Sequence, residues 1–182
     1  NLDYVTTMLL GLSGSLRRAS TNTKLLRAAA RHYGGEFVEA DLHLPLYDGD
    51  IEERSGVPAE VEALADQIAD ADAVVIATPE YNQSLSGVLK NALDWVSRVD
   101  AKPWGDKPVA LMSAAAGRAG GARGNYALRL AMTPFRPRLL TGEVLLAASH
   151  KAFDESGALV SEQYDEAVRA LMASLKAEVL RR

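Results

Sequence analysis

The sequence predicts an α/β domain in which helices cover both faces of a parallel β-sheet. Apolar strand-like runs alternate with helical patterns about five times along the 182 residues. Such alternation requires right-handed crossovers, and these place helices on both faces of a parallel sheet. The run at 73–77 is apolar throughout, which is typical of a strand buried on both faces. No internal repeat or long linker interrupts the pattern, so we expect a single domain over residues 1–182.

Each element follows from local patterning. Strands are expected at 4–12, 37–42, 73–77, 109–112 and 138–146, the last interrupted near Gly142. Helices are expected at 21–33, around 61–68, at 88–96, from Gly121 to Leu130 and at 162–182. Residues 45–58 are rich in Pro, Gly and Asp and are predicted to form a loop.

Composition narrows the classes of function. The chain is 48% hydrophobic and 24% charged, which indicates a globular protein. Its net charge of −4 gives no general reason to bind nucleic acid, and no apolar run approaches the ~20 residues of a membrane span. The lack of cysteine excludes thiolate metal sites and cysteine nucleophiles, and three scattered histidines make a histidine metal site unexpected. These counts lead us to expect no metal centre. The visible start has no signal-like segment, so we also expect a cytoplasmic protein.

Three loops are expected to form the functional site. Ligands of parallel sheets bind at the carboxyl ends of the strands, near the point where the strand order reverses. The loops at 13–22, 78–87 and 113–125 follow predicted strands and carry the unusual residues of the chain.

The first loop is suited to an anion. It leads into a helix N-terminus, where backbone N–H groups are unpaired and the helix dipole is positive. Short polar side chains and one cation suited to phosphate lie within it: Ser15, Arg17, Ser20, Thr21 and Asn22. The alternative is an N-cap cluster followed by helix, with two solvated arginines.

Neighbouring motifs fit this loop less well. The dinucleotide fingerprint lacks its second and third glycines, and no Gly-Lys pair supports a P-loop. The segment 11–15 differs from a nucleophile elbow in its last residue, which is Ser15 instead of glycine. A serine hydrolase with His150 as its base therefore remains an alternative, and it would be active without a coloured cofactor.

The second loop, residues 79–95, follows the buried strand at 73–77. Pro79 stiffens it and Gly87 allows close backbone approach at the start of a helix. Such a rigid loop suits the edge of a planar ring, whereas the alternative is an ordinary turn with Tyr81 packed. Trp95 is expected in the core, and Lys90 and Asp94 are expected to pair on the helix surface.

Together, the two loops resemble a known family. GSLRxxSxN at 14–22 and PEYNxSxxGxLKNAxDW at 79–95 are similar to the NADPH-dependent FMN reductases of flavodoxin-like fold, especially the chromate- and quinone-reducing flavoproteins. The resemblance extends through 45–48 and 117–123, and therefore covers most of the chain. It implies a three-layer flavodoxin-like sandwich with a five-stranded parallel sheet.

The resemblance also implies a set of cofactor-binding residues. Ser15, Arg17, Ser20 and Asn22 would hold the FMN phosphate, and Pro79, Glu80, Tyr81 and Asn82 would line the isoalloxazine ring. Ser113 to Gly117 would lie on the other side of the flavin. Alanines at 114–116 replace the hydroxyl residues often found in relatives, so contacts there would be made by the backbone.

The implied activity is hydride transfer from NADPH, or NADH, through flavin N5 to a small acceptor in ping-pong order. Acceptors of this kind include quinones, chromate, azo and nitro compounds, and free flavin. No protein residue need act as a catalytic acid or base, and Glu80 is either a proton donor or a solvated or helix-capping carboxylate. The alternative function is a flavodoxin-type electron carrier that does not oxidise NADPH, although Arg17 and the modest acidity disfavour it.

Assembly is expected as well. Relatives of this kind form homodimers or homotetramers with the flavin near a subunit boundary. Trp104, Tyr126 and Phe135 are expected near the flavin end, where they would either form a subunit contact or pack inside the monomer. Arg118 and Arg123 would meet nicotinamide-nucleotide phosphates, or Arg123 would serve the contact.

Overall fold

The computed structural model of the chain describes residues 7–181. Its five strands are β1 (Met8–Ser13), β2 (Glu36–Glu39), β3 (Ala73–Thr78), β4 (Pro108–Ala114) and β5 (Arg138–Leu146). Its α-helices are α1 (Thr21–Tyr33), α2 (Gly49–Ser55), α3 (Ala59–Asp70), α4 (Gly87–Val96), α5 (Ala122–Met132) and α6 (Glu162–Val179). Short 3₁₀ turns lie at Thr133–Phe135 and Ser149–Lys151.

The strands form one parallel sheet in the order β2-β1-β3-β4-β5. This confirms the predicted α/β fold with five parallel strands. The order reverses beside β1, because the chain first moves outward to β2 and then returns to β3 on the other side. The carboxyl ends of β1 and β3 therefore flank the crevice in which ligands of such sheets bind.

Two apolar layers hold the helices against the sheet. One face packs on α1 and α6, through residues such as Leu25, Leu26, Met172 and Leu175. The other packs on α3, α4 and α5, through residues such as Ile68, Leu89, Leu93 and Leu128. All residues of β3 and β4 are buried, as expected for central strands of a parallel sheet.

Several boundaries differ from the predicted ones. Residues 4–6 of the first predicted strand and Arg182 of the last helix lie outside the described residues, and α6 ends at Val179. β2 is shorter than predicted and ends at Glu39, because the chain leaves the sheet edge after Ala40 N–H donates to the Gly11 carbonyl. The interruption of β5 is confirmed, since its register on β4 shifts between Val109 and Leu111.

Helix α2 lies in a segment that the sequence predicted as a loop. Asp48 caps it by accepting a hydrogen bond from the Asp50 N–H at 2.9 Å, and Gly56 follows its last residue with φ 77°. None of its residues is buried, so it lacks the apolar periodicity that reveals a helix in a sequence.

The expected position of two aromatic residues was wrong. Trp104 precedes β4 and Phe135 precedes β5, so both lie at the amino edge of the sheet, opposite the carboxyl-end loops. Trp104 is 2% exposed and belongs to the apolar layer that packs on α4. Tyr126, in α5, is 54% exposed. Within residues 7–181, no helix has the length and apolar content needed to cross a bilayer.

Candidate functional site

A cavity of about 540 Å³ lies at the carboxyl edge of the sheet, between the first and second loops. Its walls contain eight of the predicted site residues: Ser15, Arg17, Ser20, Thr21, Asn22, Pro79, Glu80 and Tyr81. They also contain Ala19, Lys24, Ala114, Ala115, Ala116, Ser149 and His150. Cavities of about 600 and 570 Å³ lie elsewhere, so the assignment rests on the chemistry of these walls and not on size.

The N-terminus of α1 opens into this cavity. Ser20, 2% exposed, caps the helix through its hydroxyl, which accepts from the Thr23 N–H at 3.2 Å. The backbone N–H groups of residues 16–19 donate no hydrogen bond to any described residue, and the first turn of α1 contains no acidic residue. The positive end of the helix dipole is therefore left without a protein anion.

Cationic side chains border the same opening. Arg17 is exposed and forms no ion pair with a described residue. Lys24 follows Ser20 by four residues and so lies on the same side of α1, one turn further along. Its Nζ lies 5.9 Å from the centre of the Phe153 ring and forms no ion pair with a described residue.

Asn22 joins the first loop to the third. Its side-chain amide donates to the Ala114 carbonyl at 3.1 Å and accepts from the Ala114 N–H at 2.9 Å. Because Asn22 is 3% exposed, both hydrogen bonds are shielded from water. Asn22 therefore fixes the end of β4 against α1, while one amide hydrogen remains for a ligand.

The second loop is tied to α5 by Glu80. Glu80 Oε2 accepts from the N–H groups of Arg123 at 3.0 Å and Gly124 at 3.4 Å, so the carboxylate caps the N-terminus of α5. This confirms the helix-capping alternative for Glu80. Close approach also requires Gly124, since a Cβ there would lie 2.9 Å from the Pro79 carbonyl oxygen.

Three predicted site residues lie away from the cavity walls. Ser113 is 0% exposed, and its hydroxyl donates to the Gly120 carbonyl at 2.6 Å, so this side chain supports the third loop. Asn82 and Gly117 are exposed in the second and third loops. Asn82 has φ 50°, in a turn closed by hydrogen bonds between the backbones of Tyr81 and Ser84. Their contact with a cofactor stays a prediction.

The hydrogen bonds of Ser13 do not favour a serine hydrolase. Its hydroxyl donates to the Ser15 carbonyl at 3.2 Å and accepts from the Thr23 hydroxyl at 2.9 Å. A nucleophilic serine would instead donate to a base such as histidine. Two further expectations are confirmed, because Trp95 is fully buried and Lys90 pairs with Asp94 at 2.7 Å.

Comparison with known proteins shows the family. The model of NADPH-dependent FMN reductases matches residues 7–152, which include all three loops and most of the sheet. The chain belongs to the NADPH-dependent FMN reductase family. An NAD(P)H-dependent FMN reductase of Pseudomonas aeruginosa is 40% identical over 178 residues, with 95% of each chain covered.

Other members and a solved structure agree. A quinone reductase of Escherichia coli is 45% identical over 122 residues, 65% of each chain. An NADPH:quinone oxidoreductase of Arabidopsis thaliana is 40% identical over 179 residues, 93% of this chain and 90% of that one. The flavoenzyme FerB of Paracoccus denitrificans, an NAD(P)H:(acceptor) oxidoreductase, superposes with a TM-score of 0.86 at 27% identity, covering 96% of this chain and 98% of FerB.

The residues of this FMN reductase family member fit the phosphate of FMN. A phosphate requires several hydrogen-bond donors and compensation of its charge. The N–H groups at 16–19 supply unpaired donors, and Arg17 and Lys24 supply positive charge within the same walls. Glu80, the acidic residue in the walls of this cavity, already accepts hydrogen bonds from α5.

Sequence reasoning did not place the loop that follows β5 at the cofactor site, and named His150 only as the base of the serine-hydrolase alternative. Ser149 and His150 line the cavity, and the Thr21 hydroxyl donates to the Ser149 hydroxyl at 3.2 Å. The Ser149 N–H also donates to the Ala115 carbonyl at 3.0 Å, which fixes this loop to the third one. The rule that ligands lie at the carboxyl ends of parallel strands applies equally to β5, and could have found both residues.

Proposed function

We propose that this chain binds FMN in the cavity at the carboxyl edge and uses it to transfer hydride from NADPH or NADH to a small acceptor. The observation that carries the proposal is the N-terminus of α1 with the loop before it: the N–H groups of residues 16–19 have no partner among the described residues, and Arg17 lines the same cavity as the second loop. Membership of an FMN reductase family supports the identity of the anion. We also propose that residues 1–182 act as one flavin-binding domain.

Each wall of the cavity has its own task in this proposal. The N–H groups at 16–19, with Ser15, Ser20, Thr21 and Arg17, bind the phosphate, and Asn22 and Ser149 keep the neighbouring loops in place. The second loop positions the ring through its backbone from Pro79 to Asn82, because Glu80 fixes that loop to α5. When bound, FMN supplies the ability to accept a hydride and pass its electrons to an acceptor.

The order of reaction is inferred from the loops around the cavity. The first, second and third loops line it on several sides, so with FMN bound they would leave one face of the ring for donor and acceptor to use in turn. We therefore propose ping-pong kinetics without a protein acid or base. Quinones are the proposed main acceptors, because several relatives are named quinone reductases or quinone oxidoreductases. Chromate, azo compounds, nitro compounds and free flavin are further candidates.

We propose a homodimer or homotetramer as the assembled form. Leu16 and Leu46 are 42% and 80% exposed and line one groove beside the first loop, and Tyr81 is 51% exposed at the cavity. Apolar side chains grouped in this way are typical of a contact between subunits. Light scattering at micromolar concentration should give a multiple of 19.5 kDa, and the monomer mass alone would contradict the assembly.

Absorbance spectroscopy and steady-state kinetics test the function. Purified protein reconstituted with FMN should show flavin bands, and calorimetry should detect FMN binding. NADPH oxidation across a panel of acceptors should then give parallel double-reciprocal plots. A colourless protein with no calorimetric signal would contradict FMN binding, whereas bound FMN with negligible NADPH turnover would indicate an electron carrier. Intersecting plots would contradict the ping-pong order alone.

A further inference from the structure

A second cavity lies at the amino edge of the sheet. It measures about 570 Å³, and its floor and sides are apolar: Val96, Pro103, Trp104 and Phe135. Val96 ends α4 and the others precede β4 or β5, whereas the walls of the cavity proposed for FMN follow the carboxyl ends of the strands. β4 has seven residues, so roughly 20 Å of sheet separates the two cavities.

Two cations border this apolar floor. Lys102 and Arg136 line the cavity, both are exposed, and neither forms an ion pair with another described residue. The neighbouring carboxylate of Asp106 lies 3.4 Å from Arg138 Nε, so it is already paired. An apolar surface bordered by two cations that lack partners matches a ligand with an apolar body and an anionic end.

Lys102 and Arg136 lie in two turns whose backbones are joined. Lys102 has φ 46° and Arg136 has φ 56°, a conformation that residues other than glycine rarely adopt. The two turns that carry them are joined, because the Asp106 N–H donates to the Arg136 carbonyl at 3.1 Å and the Arg138 N–H donates to the Lys107 carbonyl at 2.8 Å. Positive φ values of this kind concentrate at ligand-binding sites.

Trp104 contributes an unused hydrogen-bond donor. Its Nε1 is buried and has no hydrogen-bond partner among the described residues, although nearly all buried donors in proteins are paired. The indole N–H of Trp95, by comparison, has a partner, since its Nε1–H donates to the Pro45 carbonyl at 2.7 Å. Because Trp104 lines this cavity and Trp95 does not, the two indoles can distinguish binding here from binding elsewhere.

We propose that this cavity binds a small carboxylate with an apolar body. The carboxylate lies between Lys102 and Arg136, and the apolar body packs on Trp104 and Phe135. A carboxylate suits Arg136 because its two oxygens match the planar guanidinium fork. The site is distinct from the FMN cavity and does not depend on the proposed function.

The two tryptophans of the chain allow a direct test. Octanoate is titrated into the purified protein, with and without added FMN, while the two indole N–H signals are followed by NMR. The Trp104 signal should shift with saturation and the Trp95 signal should not. 1-Octanol, which lacks the charge, should bind more weakly. No saturable shift at Trp104, or equal shifts of both indoles, would overturn the proposal, as would octanol binding as tightly as octanoate.

Charge variants locate the anionic end. Arg136→Gln and Lys102→Gln should each raise the octanoate concentration at half-saturation about fivefold, the effect of losing one partly exposed ionic contact. Arg136→Lys should recover part of that loss. Arg54→Gln is the matched control, because Arg54 is exposed in α2, outside this cavity. Unchanged octanoate binding in both Gln variants, or an equal loss in Arg54→Gln, would overturn the proposed site. A well-dispersed NMR spectrum of each variant confirms that it is folded.

Discussion

The N-termini of α1 and α5 lie at the same edge of the sheet, yet they differ in whether the described protein supplies an anion to them. Both helices follow strands of the parallel sheet, and neither has an acidic residue in its first turn. At α5, the protein supplies its own carboxylate, Glu80, from the second loop. At α1, the N-cap is the neutral Ser20, and the donors at 16–19 stay unpaired. The filled N-terminus supports structure, and the open one is available to a ligand.

Asn22 fixes the N-terminus of α1 to the end of β4, the strand that precedes α5, and its removal should have the largest effect. Asn22→Ala would leave the buried N–H and C=O groups of Ala114 without partners, so we expect a loss of about 3 kcal/mol in the free energy of unfolding. FMN affinity should fall as well, because the third loop would no longer be fixed to α1. Urea denaturation and FMN titration measure the two effects.

Asn91 provides a matched control for that measurement. Its amide makes the same pair of backbone hydrogen bonds, to the Pro45 carbonyl and from the Tyr47 N–H, in an exposed setting. Water can replace these bonds, so Asn91→Ala should cost less than half as much stability. Equal losses in the two variants would show that burial of the Asn22 amide has no special importance.

Gly124 tests how tightly α5 must approach the second loop. A Cβ at this position would lie 2.9 Å from the Pro79 carbonyl oxygen and 3.1 Å from the Ser84 carbonyl oxygen, which are backbone atoms. Gly124→Ala should therefore lower stability by about 2 kcal/mol, since overpacking outweighs the gain in helix propensity. Gly87→Ala, where a Cβ meets no atom within 4 Å, should be neutral or stabilising. A Gly124→Ala protein with unchanged stability and unchanged FMN affinity would show that the close approach of α5 to the second loop is not needed for the site.

Arg17 tests the open N-terminus of α1. Arg17→Ala should weaken FMN binding by about 1.5 kcal/mol, the lower part of the range for hydrogen bonds that involve charge. Arg18→Ala is the matched control, because Arg18 is also exposed but does not line the cavity. Fluorescence titration of FMN with each variant gives the affinities. Equal affinities for wild type and Arg17→Ala would mean that the N–H groups bind the phosphate without help from this cation.

The sequence predicted what local patterns determine. The predicted helix at 21–33 agrees with α1 at both ends, because the polar cap Ser20 precedes it, an apolar stripe runs along it and Gly34 follows it. The eight predicted residues in the cavity walls were found because each belongs to a loop that follows a strand. Helix α2 was missed, since no buried residue marks it.

Contacts between distant segments were beyond the reach of sequence patterns. Asn22 and Ala114 are 92 residues apart, and Glu80 and Arg123 are 43 apart. Only the folded sheet brings these pairs together, so the sequence could suggest that Glu80 caps a helix but not which one. The burial of Ser113 was equally hidden, because a serine after an apolar run looks the same whether it faces a ligand or the Gly120 carbonyl.

Substitution of Glu80 tests the comparison between the N-termini of α1 and α5 with the smallest expected change in stability. Glu80→Gln keeps an oxygen that can accept from the Arg123 N–H but removes the negative charge at the N-terminus of α5. Stability should fall by only about 0.5 kcal/mol, the usual size of a charge–dipole contribution. The rate of flavin reduction by NADPH should be almost unchanged, because Glu80 caps the N-terminus of α5 and is not expected to transfer a proton during the reaction. Stopped-flow absorbance measures that rate, and a loss beyond the ~10²-fold expected of a positioned acid or base would show that Glu80 is catalytic.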